Sequence, residues 1–170
     1  LLNINVTFKK LLLALTVVKT HKNMEKIKVV KSLEINASQE KIFNFVTDPS
    51  KIPSILPGLI ENSNVPALPL TAGAEFDYKY QMYGVMLDGK WIVDQIESPK
   101  LYKAHTTGGS ESWWTQEISG DGDKSTVTLT VEYKMPEGIL AKIKADALMS
   151  INDKEADHML HNLKTILEMQ

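Results

Sequence analysis

Glu155, His158 and His161 stand three residues apart in a stretch without Pro or Gly, an E-x-x-H-x-x-H spacing that raises the question of a metal site. Ligands at three-residue spacing can share a helix face, but two such steps turn the direction by about 120° at 3.6 residues per turn. His161 then points to solvent, the three groups do not converge, and no metal is expected. The apolar pattern around them says more. Leu148, Ile151, Met159, Leu163 and Ile166 form one stripe at helical spacing, with Glu155 and Asn162 inside it and His158 at its edge. A carboxylate facing an apolar interior is costly unless it is paired, hydrogen-bonded or protonated. Glu155 is therefore either a cavity acid with a raised pKa, suited to anchoring a ligand hydroxyl or carbonyl, or a side chain at the cavity's end that reaches water or a lysine.

A second set of candidates lies on alternating segments: Tyr78, Tyr80, Trp91, Tyr102, Trp114 and Tyr133, with Gln116 and Leu129. By parity they occupy the face that the flanking charges avoid. They are either plain core or the wall of a cavity, where aromatic faces with a few polar tips hold and orient an apolar ligand. His105 shares the outward parity of Lys103. No Ser-His-Asp order, P-loop or G-x-G-x-x-G appears, and Gly108-Gly109 is placed as a hairpin turn.

The elements that must position these residues follow from the same patterns. Ile27 to Asn36 alternates as a half-buried strand. Ser38 is a plausible N-cap for a helix whose apolar face is Ile42, Phe43, Phe45 and Val46, and Asp48-Pro49 stops it. Ser50 to Leu56 can form one further short helix. Strands are expected at Leu59–Val65, Glu75–Met82, Val85–Ile96, Leu101–Thr107, Glu111–Ser119 and Ser125–Tyr133, joined by short turns and so antiparallel. Ile139 to Met169 reads as one helix of about eight turns. The plan is α+β, a sheet curved around one long helix, with an obvious place for a cavity between them.

Composition narrows the partners. The chain has 170 residues and a net charge of −2, so no long-range field draws it to a polyanion. All 19 basic residues are lysines, which removes the bidentate guanidinium fork and argues against nucleic acid. With no cysteine, disulfides, thiolate catalysis and the usual zinc frameworks are excluded. No apolar run reaches the roughly 18 residues of a membrane span. Leu1 to Asn23 stands apart: Leu11 to Val18 is apolar between lysines, and the first methionine is Met24. These 23 residues are either an extension upstream of the domain, or a signal-like segment without a small-residue cleavage site or a weak membrane-surface helix. A domain from Met24 to Gln170 and a cytoplasmic location are the expectations.

Several local signatures then fall in order: Ile35-Asn-Ala-Ser-Gln-Glu-Lys-Ile-Phe43, Val46-Thr-Asp-Pro-Ser-Lys-Ile52 and Lys90-Trp-Ile-Val-Asp-Gln-Ile-Glu-Ser-Pro99. Trp114 with Gln116 and Ile118 comes next, then Gly122 to Tyr133, Met135-Pro-Glu-Gly-Ile-Leu140 and Asn162-Leu-Lys164. Together they resemble the START-like (SRPBCC) superfamily, in its polyketide cyclase/dehydrase branch. The Leu56-Pro-Gly58 turn is also similar to that of an accessory protein of carbon-monoxide dehydrogenase. The resemblance implies a helix-grip fold with two short helices after the first strand, and a hydrophobic cavity. It implies a binding or carrier domain for a lipid, isoprenoid or aromatic metabolite, with no cofactor. Two alternatives stay open: a cyclase- or dehydratase-like enzyme in which Glu155, Tyr80, Tyr133 and Gln116 move protons, and an accessory or co-chaperone-like interaction protein. Fold analogy does not choose among them.

Overall fold

The computed structural model describes residues 26–134 and 145–169; within the second segment, the side chains of 145–149 and 151 lie outside the description. The expected segment before Met24, the turn from Met135 to Gly138 and the first helical turns from Ile139 also lie outside it. β1 (Ile27–Ile35) opens the fold and alternates in burial along its length. Ser38 caps α1 (Gln39–Val46), its Oγ accepting the Lys41 N–H at 3.2 Å. The apolar residues Ile42, Phe43, Phe45 and Val46 are all buried, as their spacing on one face requires. The second short helix is a single 3₁₀ turn, Ile52–Ser54.

Six further strands follow: β2 (Leu59–Ser63), β3 (Glu75–Met82), β4 (Val85–Glu97), β5 (Leu101–Gly108), β6 (Glu111–Asp121) and β7 (Lys124–Lys134). They form one seven-stranded sheet in the order β1-β7-β6-β5-β4-β3-β2. β2 to β7 run as an antiparallel meander, and β1 closes onto the last strand, Ile27 opposite Tyr133 and Ile35 opposite Ser125. α1 and the 3₁₀ turn thus carry the chain from one edge of the sheet to the other. β7 is the clearest case of period two, with Ser125, Val127, Leu129, Val131 and Tyr133 buried between half-exposed Thr126, Thr128, Thr130 and Glu132. In β4 the period breaks. The register against β5 shifts between Val93 and Gln95, so that Ile96, not Gln95, comes to lie opposite inward-facing Tyr102. This irregularity bends the strand.

α2 (Ala145–Glu168) lies across the sheet. Its later turns bury Leu160, Leu163 and Leu167 in one core with Ile35, Ile42, Phe43, Val46 and Ile55. Polar contacts fix its position. Lys31 Nζ reaches Asp153 at 2.8 Å and Asp157 at 3.1 Å, and Lys164 Nζ donates to the Glu34 carbonyl at 2.8 Å. At the C-terminal end, Lys41 Nζ donates to the Leu167 carbonyl, placing a cation where the helix dipole is negative. Exposed pairs of this kind stabilise by at most about 1 kcal/mol each, so they set orientation while the apolar contacts hold the helix down. Among the described residues, no helix is long and apolar enough to cross a membrane.

Candidate ligand cavity

From Asn152 to Met159, α2 leaves space above the sheet. Beneath it lies a cavity of about 80 Å³. Asn152, Glu155, Ala156 and Met159 line it from the helix, at positions i, i+3, i+4 and i+7, which place them on one face. The sheet supplies alternate residues of successive strands: Tyr78, Tyr80 and Met82 from β3, Leu87 and Trp91 from β4, Thr106 from β5, Ser112 and Trp114 from β6, and Leu129, Val131 and Tyr133 from β7. Val29, Leu56, Leu59 and Ser110 complete the wall. Trp91 stands at the centre of an aromatic run, stacked on Phe76 at 6.1 Å and tilted against Trp114 at 5.4 Å between ring centroids.

Two polar groups interrupt the apolar surface. The first is a hydroxyl network that largely satisfies itself. Thr106 Oγ1 donates to the Ser110 carbonyl at 2.8 Å, lies 2.6 Å from Ser112 Oγ and accepts the Ser112 N–H at 3.0 Å. Trp114 Nε1 donates to Ser112 Oγ at 2.8 Å, and Ser110 N–H donates to the Tyr78 hydroxyl at 3.2 Å. These bonds occupy the groups that would otherwise face a ligand, so the network fixes the Trp114 and Tyr78 rings.

The second group is open to the cavity. Tyr80 donates its hydroxyl proton to Glu155 Oε1, and Asn152 Nδ2 donates to the Tyr133 hydroxyl oxygen. Burial pushes Glu155 above its ordinary value, opposed by the Tyr80 hydrogen bond and by the neighbouring His158 ring. Burial also pushes the Tyr80 and Tyr133 phenols far up, so both keep their protons at any physiological pH. Among the described residues no lysine or histidine lines the cavity.

Because its folded pKa is raised, Glu155 favours folding in its neutral form. That contribution is complete below the unfolded carboxylate value of about 4.3 and is lost as pH rises through the higher folded value. Glu155→Gln keeps an acceptor for Tyr80 and removes the charge. It is expected to raise Tm at pH 7.5 and to have no effect near pH 4. Thermal unfolding at both pH values checks this. An equal shift at the two would show that the buried charge is not the cause.

The structure brings together Tyr78, Tyr80, Trp91, Trp114, Leu129, Tyr133, Glu155 and Met159. Tyr102 and Gln116 are buried but line an adjoining crevice of about 10 Å³ that shares Trp91, Trp114 and Met159 with the cavity, room for about one water. There the Tyr102 hydroxyl accepts Trp91 Nε1 at 3.0 Å, and burial raises that phenol to about 12. Two placements on the helix are corrected. His158 is exposed, because its direction lies about 60° beyond that of Glu155 on the wheel. Asn162 has the right direction but sits past the cavity's end, exposed, donating to the Ile55 carbonyl at 3.1 Å. It ties the helix to the 3₁₀ turn instead of lining the cavity. The Leu148 and Ile151 side chains lie outside the described residues. His161 is exposed, with Nδ1 2.8 Å from the Asp157 carbonyl of its own helix, and His105 pairs with Asp94 at 2.7 Å, as its outward parity implies.

Residues not singled out from the sequence include Asn152, Thr106, Ser112 and Ala156. Thr106 and Ser112 carried a signal, since each is a polar residue at an inward strand position. Asn152 carried one too, three residues before Glu155 on the same face.

The family model described as polyketide cyclase / dehydrase and lipid transport matches residues 26–168. No protein among the curated sequences matches the chain. Among solved structures, a protein from Thermus thermophilus is 14% identical with a TM-score of 0.70, covering 84% of this chain and 98% of its own. A START superfamily protein from Mycobacterium smegmatis is 14% identical at a TM-score of 0.67, with 85% and 99% covered. The Zhui aromatase/cyclase from a Streptomyces species is 11% identical at 0.66, with 85% and 94% covered. At these identities the likeness is one of fold.

Proposed function

The chain belongs to the polyketide cyclase / dehydrase and lipid transport family, and from that membership we propose that it binds one small apolar molecule in the cavity between sheet and helix. The observation that carries this reading is the cavity itself. Protein interiors are normally filled to crystal-like density. A void of about 80 Å³ left empty costs on the order of 2 kcal/mol at roughly 24 cal/mol per Å³. Its wall is built of aromatic faces whose polar tips are held by protein partners, those of Tyr78 and Trp114 by the Thr106–Ser112 network, which is the character of a site that grips a flat apolar body. The volume favours a single ring or a short branched chain. A long acyl chain requires the helix and sheet to part.

Native mass spectrometry of the full chain, followed by solvent extraction of whatever co-purifies, tests the reading. A bound apolar compound, or saturable enhancement of an apolar fluorescent probe that the extracted compound displaces, is the expected result. A protein that arrives empty and leaves the probe dark overturns it.

A second reading rests on one specific observation, the Glu155 carboxyl facing the cavity beside two protonated phenols, Tyr80 and Tyr133. Such a group can take and return a proton on a bound molecule. Conversion of the extracted compound by the wild-type chain, slowed at least tenfold in Glu155→Gln, would select the enzyme reading over the carrier.

A further inference from the structure

The charges around the cavity bear on which apolar molecules it accepts, an inference that rests on the binding reading above. Among the described residues, the one ionisable group of the lining that can carry charge near neutral pH is Glu155. The chain contains no arginine, and among the described residues neither a lysine nor a histidine joins the wall. Glu155 is held by a neutral donor, the Tyr80 hydroxyl, which occupies one of its oxygens. A carboxylate has room for several hydrogen bonds on two oxygens, so acceptor capacity remains on the cavity side. The phenol rings of Tyr80 and Tyr133 line the same cavity, and so do the indoles of Trp91 and Trp114, 5.4 Å apart between centroids.

From this juxtaposition of a half-buried carboxylate and an aromatic wall, with no cation among the described lining residues, the geometry points to a ligand whose ring packs on Trp91 and Trp114 and whose protonated amine meets Glu155. Each part of that ligand answers something in the site. An ammonium supplies the counter-charge that a carboxylate partly withdrawn from water favours. It also sits favourably over electron-rich ring faces. The raised pKa of Glu155 has burial as its main cause, and a bound cation relieves that cost. A ligand acid meets the reverse situation: its carboxylate or phosphate faces Glu155 in a medium of low dielectric, with no lysine among the described lining residues to receive it. Fatty acids and acidic aromatics are therefore selected against. A neutral alcohol falls between, donating one uncharged hydrogen bond.

The test is a matched series on the full chain: 2-phenylethylamine, 2-phenylethanol and phenylacetate, titrated at pH 7.5 by calorimetry or by ligand-observed NMR, beside an uncharged apolar fluorescent probe. The expected order is amine, then alcohol, then acid, with at least a tenfold span between the first and the last. Glu155→Gln, checked for native structure by circular dichroism, is expected to remove the amine's advantage and leave the alcohol within about twofold. Equal affinities for amine and acid, or an amine preference that survives in Glu155→Gln, overturn the amine assignment while the binding reading stands. Probe binding with no binding of the amine overturns it as well. If neither the series nor the probe binds, the cavity reading itself falls.

Discussion

Replacing Ala156 by leucine is expected to weaken ligand binding at least tenfold while raising the melting temperature. Ala156 is 7% exposed and faces the cavity from the middle of the lining face of α2, between Asn152 and Met159. Leucine is a better helix former than most alternatives and close to alanine in propensity, so the helix itself is little affected. The added branched group has one direction to go, into the space below. Filling a void of this kind commonly stabilises by about 0.5–2 kcal/mol, a Tm gain of roughly 1–8 °C for a chain of this size. The same atoms occupy the volume that a ligand would take. Stability and affinity thus move in opposite directions, a pattern that general damage to the fold does not produce. Lys154→Leu, on the exposed side of the same helix, controls for added hydrophobicity and is expected to change neither. Probe titration together with thermal unfolding reads both quantities. Unchanged affinity in Ala156→Leu would place the ligand elsewhere.

That prediction concerns a residue the sequence did not mark, and the reason is physical. Strand parity identified the sheet side of the cavity well, because a strand offers two directions and each aromatic must take one. Tyr78, Tyr80, Trp91, Trp114 and Tyr133 all line the wall on this account. A helix is less decisive. Its stripe tells which residues turn inward, not how far along the axis the cavity extends before the core closes. Asn162 has the same direction as Glu155 and lies two turns further on, beyond the end of the cavity. Ala156 is small and apolar, so nothing in its type distinguishes a packed contact from an open space. Tyr102 shows the remaining limit. It faces inward as its parity demands, yet Trp91 covers its hydroxyl and leaves it in the neighbouring crevice. Parity assigns a face, while the packing order within that face depends on contacts between strands distant in sequence.

Gly89 carries the largest expected effect on stability. It occupies β4 between Leu87 and Trp91, two cavity-lining residues, and pairs with Tyr78 on one side and Gly108 on the other. A Cβ built there would fall well inside 3.0 Å of the Thr107 carbonyl oxygen and 3.1 Å from the Gly109 nitrogen. Both are backbone atoms that cannot swing away. The close approach exists because the chain folds back after β5, with Gly108 at φ +94° and the Gly109 N–H donating to the Asp88 carbonyl at 2.8 Å. Glycine in a strand interior commonly marks such an approach. Gly89→Ala and Gly89→Val are both expected to destabilise by about 3 kcal/mol, at the upper end of overpacking costs, which lowers Tm by roughly 6–12 °C. The two should be nearly equal, since the first carbon already collides. Thr115→Val, at a half-exposed position of β6, is expected to stay within about 0.5 kcal/mol of the parent. A tolerated alanine with a damaging valine would mean that side-chain bulk, not backbone approach, governs the site. The strain also reaches the cavity. The fold-back that Gly89 permits sets Ser110 beside the Tyr78 hydroxyl and the Thr106 side chain, so any variant that forces β4 and β5 apart frees the Tyr78 ring and loosens the wall against which a ligand would pack.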